Sequence, residues 1–316
     1  MSDRNRIDVH QHVVPPFWAD ALPAHGGDPS GWGSPTWSPE AALAFMDSLE
    51  IRTGVLSLTA PGVQGWNGQA KRDMARQVNE YVAGLVAKWP TRFGNFATLP
   101  LPDVDGALAE IDHAFDTLNA DGVVLLSNHG GVYLGDAVFE AVWAALDRRH
   151  AVVFIHPAKP AIDVLAGMPG PLLDYPFDTT RSALQLVLNG VVARYPNVRI
   201  ILSHAGGFLP YTAYRFAELA PGVRDDVPDR DGLLDLLRTF YFDTALSSPS
   251  ALPSLTAFAR PGHILYGSDF PYAPPSVSTS FAAAQDAYAA LDADGHAAIN
   301  RANALPLFPR LAALAR

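Results

Sequence analysis

The chain has 316 residues, of which 49% are hydrophobic and 17% charged, with a net charge of −10 and no cysteine. This is ordinary globular composition, which excludes a disordered chain. The acidic balance without any Lys/Arg run excludes a nucleic-acid face. The lack of cysteine excludes disulfides and leaves His, Asp and Glu as the side chains able to hold a metal.

The N-terminal MSDRNRIDVHQH lacks the apolar stretch of a signal peptide, and no apolar run is long enough for a membrane span, so a cytoplasmic protein is expected. Eight short runs rich in Val, Ile, Leu and Phe follow along the chain, at 7–12, 54–58, 94–99, 122–126, 152–156, 199–204, 240–244 and 264–268. Continuous apolar strands are those of a parallel sheet covered on both faces. Helix-period segments separate them, among them 39–49, 70–87, 104–119, 136–149 and 179–193, with Ser38 and Asp178 as expected caps. Eight strands alternating with helices predict a closed (β/α)₈ TIM barrel. A doubly wound sheet is the other arrangement considered, but no Gly-rich phosphate turn follows the first strand. The whole of 1–316 is read as one domain with loop insertions at 13–37 and 158–176. Both insertions follow a strand ending in histidine, and both are expected to wall the pocket. Residues 300–314 are expected to form a terminal helix.

The chemistry gathers at strand ends. His10 and His12 are two apart on the first strand and share a face. His156 ends the fifth strand in VVFIHP, His204 the sixth in IILSHAGG, and Asp269 follows the eighth in ILYGSDFP. In a barrel the C-terminal strand ends carry the active site. His10, His12, His156 and Asp269 are therefore candidate metal ligands. Imidazoles with a carboxylate suit Zn²⁺ first, and also Mn²⁺, Co²⁺ or Fe²⁺. Strand four, GVVLLSNHGG, ends with no Lys or carboxylate to bridge a second ion, so one metal and no organic cofactor are expected.

DVHQH, FIHP, SHAGGFLPYTAYR and YGSDFPY together resemble the amidohydrolase-related decarboxylases, which act on aminocarboxymuconate semialdehyde, 6-methylsalicylate and resorcylate. The resemblance runs from Ile7 to the tail at 303–311. It implies that His204 works beside the metal as acid/base, or else as a further ligand; the proton donor to the ring carbon is Asp269 or His204. It implies that Arg215, eleven residues after His204, contacts a substrate carboxylate, in some relatives across a subunit boundary, and so a homodimer. A second arginine of the aminocarboxymuconate enzymes is replaced here by Ala42, which favours a monocarboxylate substrate. The segment DYPFDTTR at 174–181 is closest to the 6-methylsalicylate branch.

Aromatic side chains on the loops, Phe17, Trp18, Trp37, Phe177, Phe270 and Tyr272, suit a flat substrate or simple packing, with Phe270 assigned to the pocket for its place next to Asp269. Asp8 is expected to orient a ligand, and Asp243 to orient His204 or line the pocket. Of the other histidines, His113, His150 and His296 read as surface residues, His263 as structural, His129 as a loop residue, and His25 as either. Together these residues predict a metal-dependent, non-oxidative decarboxylase of a small hydroxyaromatic or unsaturated monocarboxylate. A hydrolase of lactones, esters or amides is the alternative on the same site, and a non-catalytic metal-binding barrel the third.

Overall fold

Each of the eight apolar runs becomes a parallel strand. The structure is a computed structural model that describes residues 4–162 and 164–314. The two ends of the expected 1–316 domain and Asp163 in the second loop lie outside the described residues. The barrel strands are β1 Arg6–His12, β2 Ile51–Ser57, β3 Phe93–Thr98, β4 Gly122–Leu126, β5 Val152–His156, β6 Arg199–Leu202, β7 Tyr241–Asp243 and β8 Ile264–Leu265, paired in sequence order. Every pairing is parallel. β8 is short, and the segment after it closes the barrel. The Val9 N–H donates to the Tyr266 carbonyl (3.0 Å), the Asp269 N–H to His10 (2.8 Å) and the His12 N–H to Phe270 (2.7 Å). Closure of the barrel therefore passes through the metal-ligand candidates themselves.

Helices lie between the strands: α1 Pro39–Ser48, α2 Gly68–Lys88, α3 Val104–Asp116, α4 Glu140–Arg148, α5 Asp174–Leu188, α6 Leu209–Leu219, α7 Leu252–Phe258 and α8 Pro275–Asp286. Ser38 caps α1 as expected, accepting from the Ala41 N–H at 3.1 Å. Asp178 does not cap a helix. α5 begins at Asp174, with Pro176 in the first turn, where its missing N–H costs nothing. Asp178 is fully buried inside that helix. The tail is not one helix either: it breaks into Ala298–Ala302, Leu305–Leu307 and Pro309–Leu314, because Pro306 and Pro309 interrupt any continuous ladder.

Inside the barrel, Ile7, Val9, Val55, Phe96, Phe154 and Ile201 pack with Phe308 and Leu311 of the tail, so the tail plugs the end opposite the site. The larger apolar layer lies between the strands and the helices α3 to α7. The first long loop carries a helix Pro16–Ala21 and a 3₁₀ turn Leu22–His25; the second carries a 3₁₀ turn Gly170–Leu172. No helix among the described residues is long and apolar enough to cross a membrane.

Candidate metal centre

β1 carries both histidines at its C-terminal end, two apart, and is irregular there. The register with β2 shifts between Asp8 and Gln11. Ile7 and Val9 join the inner apolar cluster, and the His10 ring packs edge-on against Phe154 of that cluster at 4.9 Å. Asp8 and Gln11 meet each other instead, Gln11 Nε2 donating to Asp8 Oδ2 at 3.2 Å. Asp8 therefore does not touch a ligand ring. It accepts from the His10 N–H (3.1 Å), from the Ser268 N–H (3.0 Å) and from Ser268 Oγ (2.5 Å), and so fastens β1 to the segment carrying Asp269. Burial pushes the Asp8 carboxyl up to about 7.

His10, His12, His156 and Asp269 offer ligand atoms that all lie within 4.8 Å of one another, and all four residues are buried. His10 Nε2 and His12 Nε2 are 3.0 Å apart and lie 3.2 and 3.0 Å from Asp269 Oδ1. Bonds of about 2.0–2.2 Å to one ion place neighbouring ligand atoms roughly 3 Å apart, so this spacing fits a divalent cation. The outer nitrogens are already occupied. His10 Nδ1 faces Asp243 Oδ2 at 2.8 Å, His12 Nδ1 faces Ser57 Oγ at 3.0 Å, and His156 Nδ1 faces the Pro157 carbonyl at 2.9 Å. A histidine donating its outer N–H in this way turns the lone pair of the other nitrogen inward, which is how metal-binding histidines are oriented. Thr59 Oγ1 adds a contact to His156.

The electrostatics point the same way. Burial opposes a charge on His10, but Asp243 and Asp269 outweigh it and push its pKa up to about 10. Burial and the neighbouring imidazoles hold His156 well below its ordinary value, and burial lowers His12. Burial would raise Asp269, yet the charge of His10 and the hydrogen bonds of three histidines hold it well below the usual carboxylate range. Without an ion, the cluster keeps a proton on His10 at neutral pH; a divalent cation supplies positive charge at the same place.

His204 stands at the rim. Its Nε2 is 3.3 Å from Asp269 Oδ2, and its ring is 4.8 Å from that of His10. It lies outside the four-residue group of converging ligand atoms. Asp243 serves both sides: it holds the His10 ring and accepts from the His204 N–H at 2.9 Å. His204 and Asp269 both have left-handed backbones, with φ of 53° and 61°. Non-glycine residues held in that region cost on the order of 1–3 kcal/mol and gather at functional sites.

The expected substrate contacts are placed differently. Phe270 stacks on Phe45 at 4.2 Å in the layer beneath α1, so its ring packs rather than lining the mouth. Trp18 is fully buried among Val14, Leu22, Leu58 and Val63, its indole N–H donating to the Gly62 carbonyl at 2.9 Å. Phe177 is 39% exposed and stacks on Phe208. Arg215 is exposed on α6 in a surface groove with Leu184, Leu188 and Phe216, and no residue of the cluster lines that groove. Among the aromatic residues named from the sequence, the ring that meets a ligand is Tyr272, edge-on to His12 at 5.5 Å. Trp32 Nε1 donates to the Tyr272 carbonyl at 3.1 Å, tying the first long loop to the segment after β8, and the Gly170 N–H donates to the Ser30 carbonyl at 2.9 Å, joining the two long loops. A cavity of about 360 Å³ lies between them, lined by Pro29, Gly31, Lys159, Leu165, Met168 and Asp174 among others. His25 stacks on Trp66 and His263 on Tyr241, as packing residues, while His129 is buried in a small hairpin after β4. Ser57 and Thr59 were not anticipated, since a hydroxyl at the end of an apolar run carries no signal of its own.

The amidohydrolase family matches residues 7–310 of the chain. The chain is 43% identical to a 6-methylsalicylic acid decarboxylase of Penicillium expansum over 97% of both chains. A solved amidohydrolase II structure aligns with a TM-score of 0.89 at 34% identity, covering 96% of this chain and 99% of that one. A dihydroxybenzoic acid decarboxylase from Polaromonas sp. JS666, solved with bound manganese and the inhibitor 2-nitroresorcinol, aligns with a TM-score of 0.79 at 23% identity over 96% and 97% of the two chains, a likeness of fold.

Proposed function

Since this chain belongs to the amidohydrolase family, we propose that it is a metal-dependent, non-oxidative decarboxylase of a small hydroxyaromatic monocarboxylic acid of the 6-methylsalicylate kind. The observation that carries this reading is near-full-length identity to a 6-methylsalicylic acid decarboxylase in a chain whose four ligand candidates converge beside a His–Asp pair.

The reaction breaks the bond between the ring and its carboxylate. The electron pair stays on the ring carbon, which must take up a proton as CO₂ leaves. His10, His12, His156 and Asp269 are the proposed ligands of one divalent ion, Zn²⁺ by donor set, with Mn²⁺, Co²⁺ and Fe²⁺ as the other candidates. When bound, that ion supplies Lewis-acid stabilisation of negative charge on substrate oxygens. His204 Nε2 and Asp269 Oδ2, 3.3 Å apart, are the proposed pair that holds the proton and delivers it to the ring carbon. Asp243 fixes both His10 and the backbone of His204, so the ligand side and the proton side keep one geometry. Tyr272 offers an aromatic edge beside His12 for a flat substrate. Ala42 is buried under the loop, leaving no second cation there for a dicarboxylate.

We propose a cytoplasmic homodimer. Exposed Tyr211, Tyr214, Leu219 and Val223 around Arg215 give α6 and the turn after it an apolar face suited to a second copy, through which Arg215 would serve the neighbouring site. The test is metal analysis followed by a CO₂-release screen over hydroxybenzoates. CO₂ from 6-methylsalicylate, with metal in the protein, is the expected result. Ring opening of a lactone without CO₂ would establish the hydrolase instead.

A further inference from the structure

Asp178 is fully buried on α5 and is not one of the converging ligands. It accepts hydrogen bonds from Ser127 Oγ, from Asn128 Nδ2 at 2.8 Å and from Tyr133 OH, and Arg181 Nη1 stands 3.6 Å away. The first three donors all belong to the segment that follows β4. A buried carboxylate is tolerated only when donors surround it in this way.

Ser127 passes the constraint on. Its N–H donates to the His156 carbonyl at 2.8 Å, and its Oγ accepts from the Ala158 N–H at 2.9 Å. One serine therefore grips the backbone on both sides of Pro157, and Asp178 grips the serine. That backbone takes part in directing the His156 ring, whose Nδ1 meets the Pro157 carbonyl, its own chain neighbour, at 2.9 Å and Thr59 Oγ1 at 3.1 Å. On the same turn of α5, Thr180 Oγ1 accepts from the Phe208 N–H at 2.8 Å, just past the turn that carries His204.

We propose that Asp178 is a positioning residue for the metal centre: through Ser127 it fixes the backbone at 156–158 and aims His156 at His10, His12 and Asp269. This rests on the metal-centre reading given above. The test is metal affinity by chelator competition, with circular dichroism and melting temperature alongside. Asp178→Asn is expected to fold and to bind the ion about 10- to 100-fold more weakly, the range seen when the supports of metal ligands are removed. Ser127→Ala, which removes the hydroxyl that joins Asp178 to the Ala158 N–H, is expected to weaken binding about tenfold and carries the test if Asp178→Asn does not fold. Tyr133→Phe removes one bond to the same carboxylate but leaves the Ser127 link intact. It is expected to lower the melting temperature and leave metal affinity at the wild-type value. Wild-type affinity in Ser127→Ala, or weakening by Tyr133→Phe equal to that by Ser127→Ala, overturns the proposal. Wild-type affinity in His156→Ala overturns the metal-centre reading itself.

Discussion

The strand ends and the long loops meet at the same mouth of the barrel, but they hold their side chains by different means. At the strand ends, each ligand histidine has its outer nitrogen fixed by a neighbour: Asp243, Ser57 or the Pro157 carbonyl. On the loops, the aromatic side chains expected to meet substrate are mostly spent on packing, Trp18 beneath the first loop and Phe270 on Phe45. The difference teaches that chemistry here is set by backbone the barrel cannot do without, since the hydrogen bonds closing the barrel run through His10, His12 and Asp269. The loops owe their shape to cores of their own.

The comparison breaks most sharply at the ligands. His10→Ala, His12→Ala or Asp269→Ala is expected to strip the metal and lower turnover on the order of 10³-fold or more, read by metal content and CO₂ release. Full occupancy in two of the three would overturn the ligand set. His204→Ala is expected to keep the metal and lose roughly 10²- to 10⁴-fold in kcat; loss of the metal there would make His204 a ligand. Asp243→Asn touches no ion directly, yet it should weaken metal binding about 10- to 100-fold by freeing the His10 ring.

Proton linkage sharpens the same side. Ion-free His10 has a pKa pushed up to about 10, so it is protonated at neutral pH, and a metal ligand must shed that proton. Uptake at pH 7 should release about one proton, and affinity should rise about tenfold for each pH unit up to the pKa. Calorimetry in buffers of different ionisation enthalpy reads this directly; no proton release would contradict it. The loop side should respond the other way round. Trp18→Ala is expected to cost about 3–5 kcal/mol of stability while leaving the metal content unchanged, as thermal melts and metal analysis can check.

The sequence made the barrel legible because eight apolar runs sit between helix-period segments, and alternation along β1 placed His10 and His12 together. It expected Asp8 to orient a ligand, which Asp8 does through the His10 N–H and Ser268 and not through a ring, because the register shift after Asp8 cannot be seen in a string of residues. It read Asp178 as a cap, since Asp before Thr-Thr looks like a helix start, whereas burial makes it an anchor for the segment after β4. Phe270 looked like a pocket residue for its place next to Asp269, but adjacent residues turn their side chains apart, and its ring faces α1. Arg215 sits on an exposed helix face, in a groove that no residue of the cluster lines.

The most direct test of the central claim is a metal titration of ion-free protein followed by CO₂ release from 6-methylsalicylate. Activity absent at the start, rising with added ion and saturating at one ion per chain, is the predicted result. CO₂ release by the ion-free protein, or saturation at two ions per chain, would contradict it.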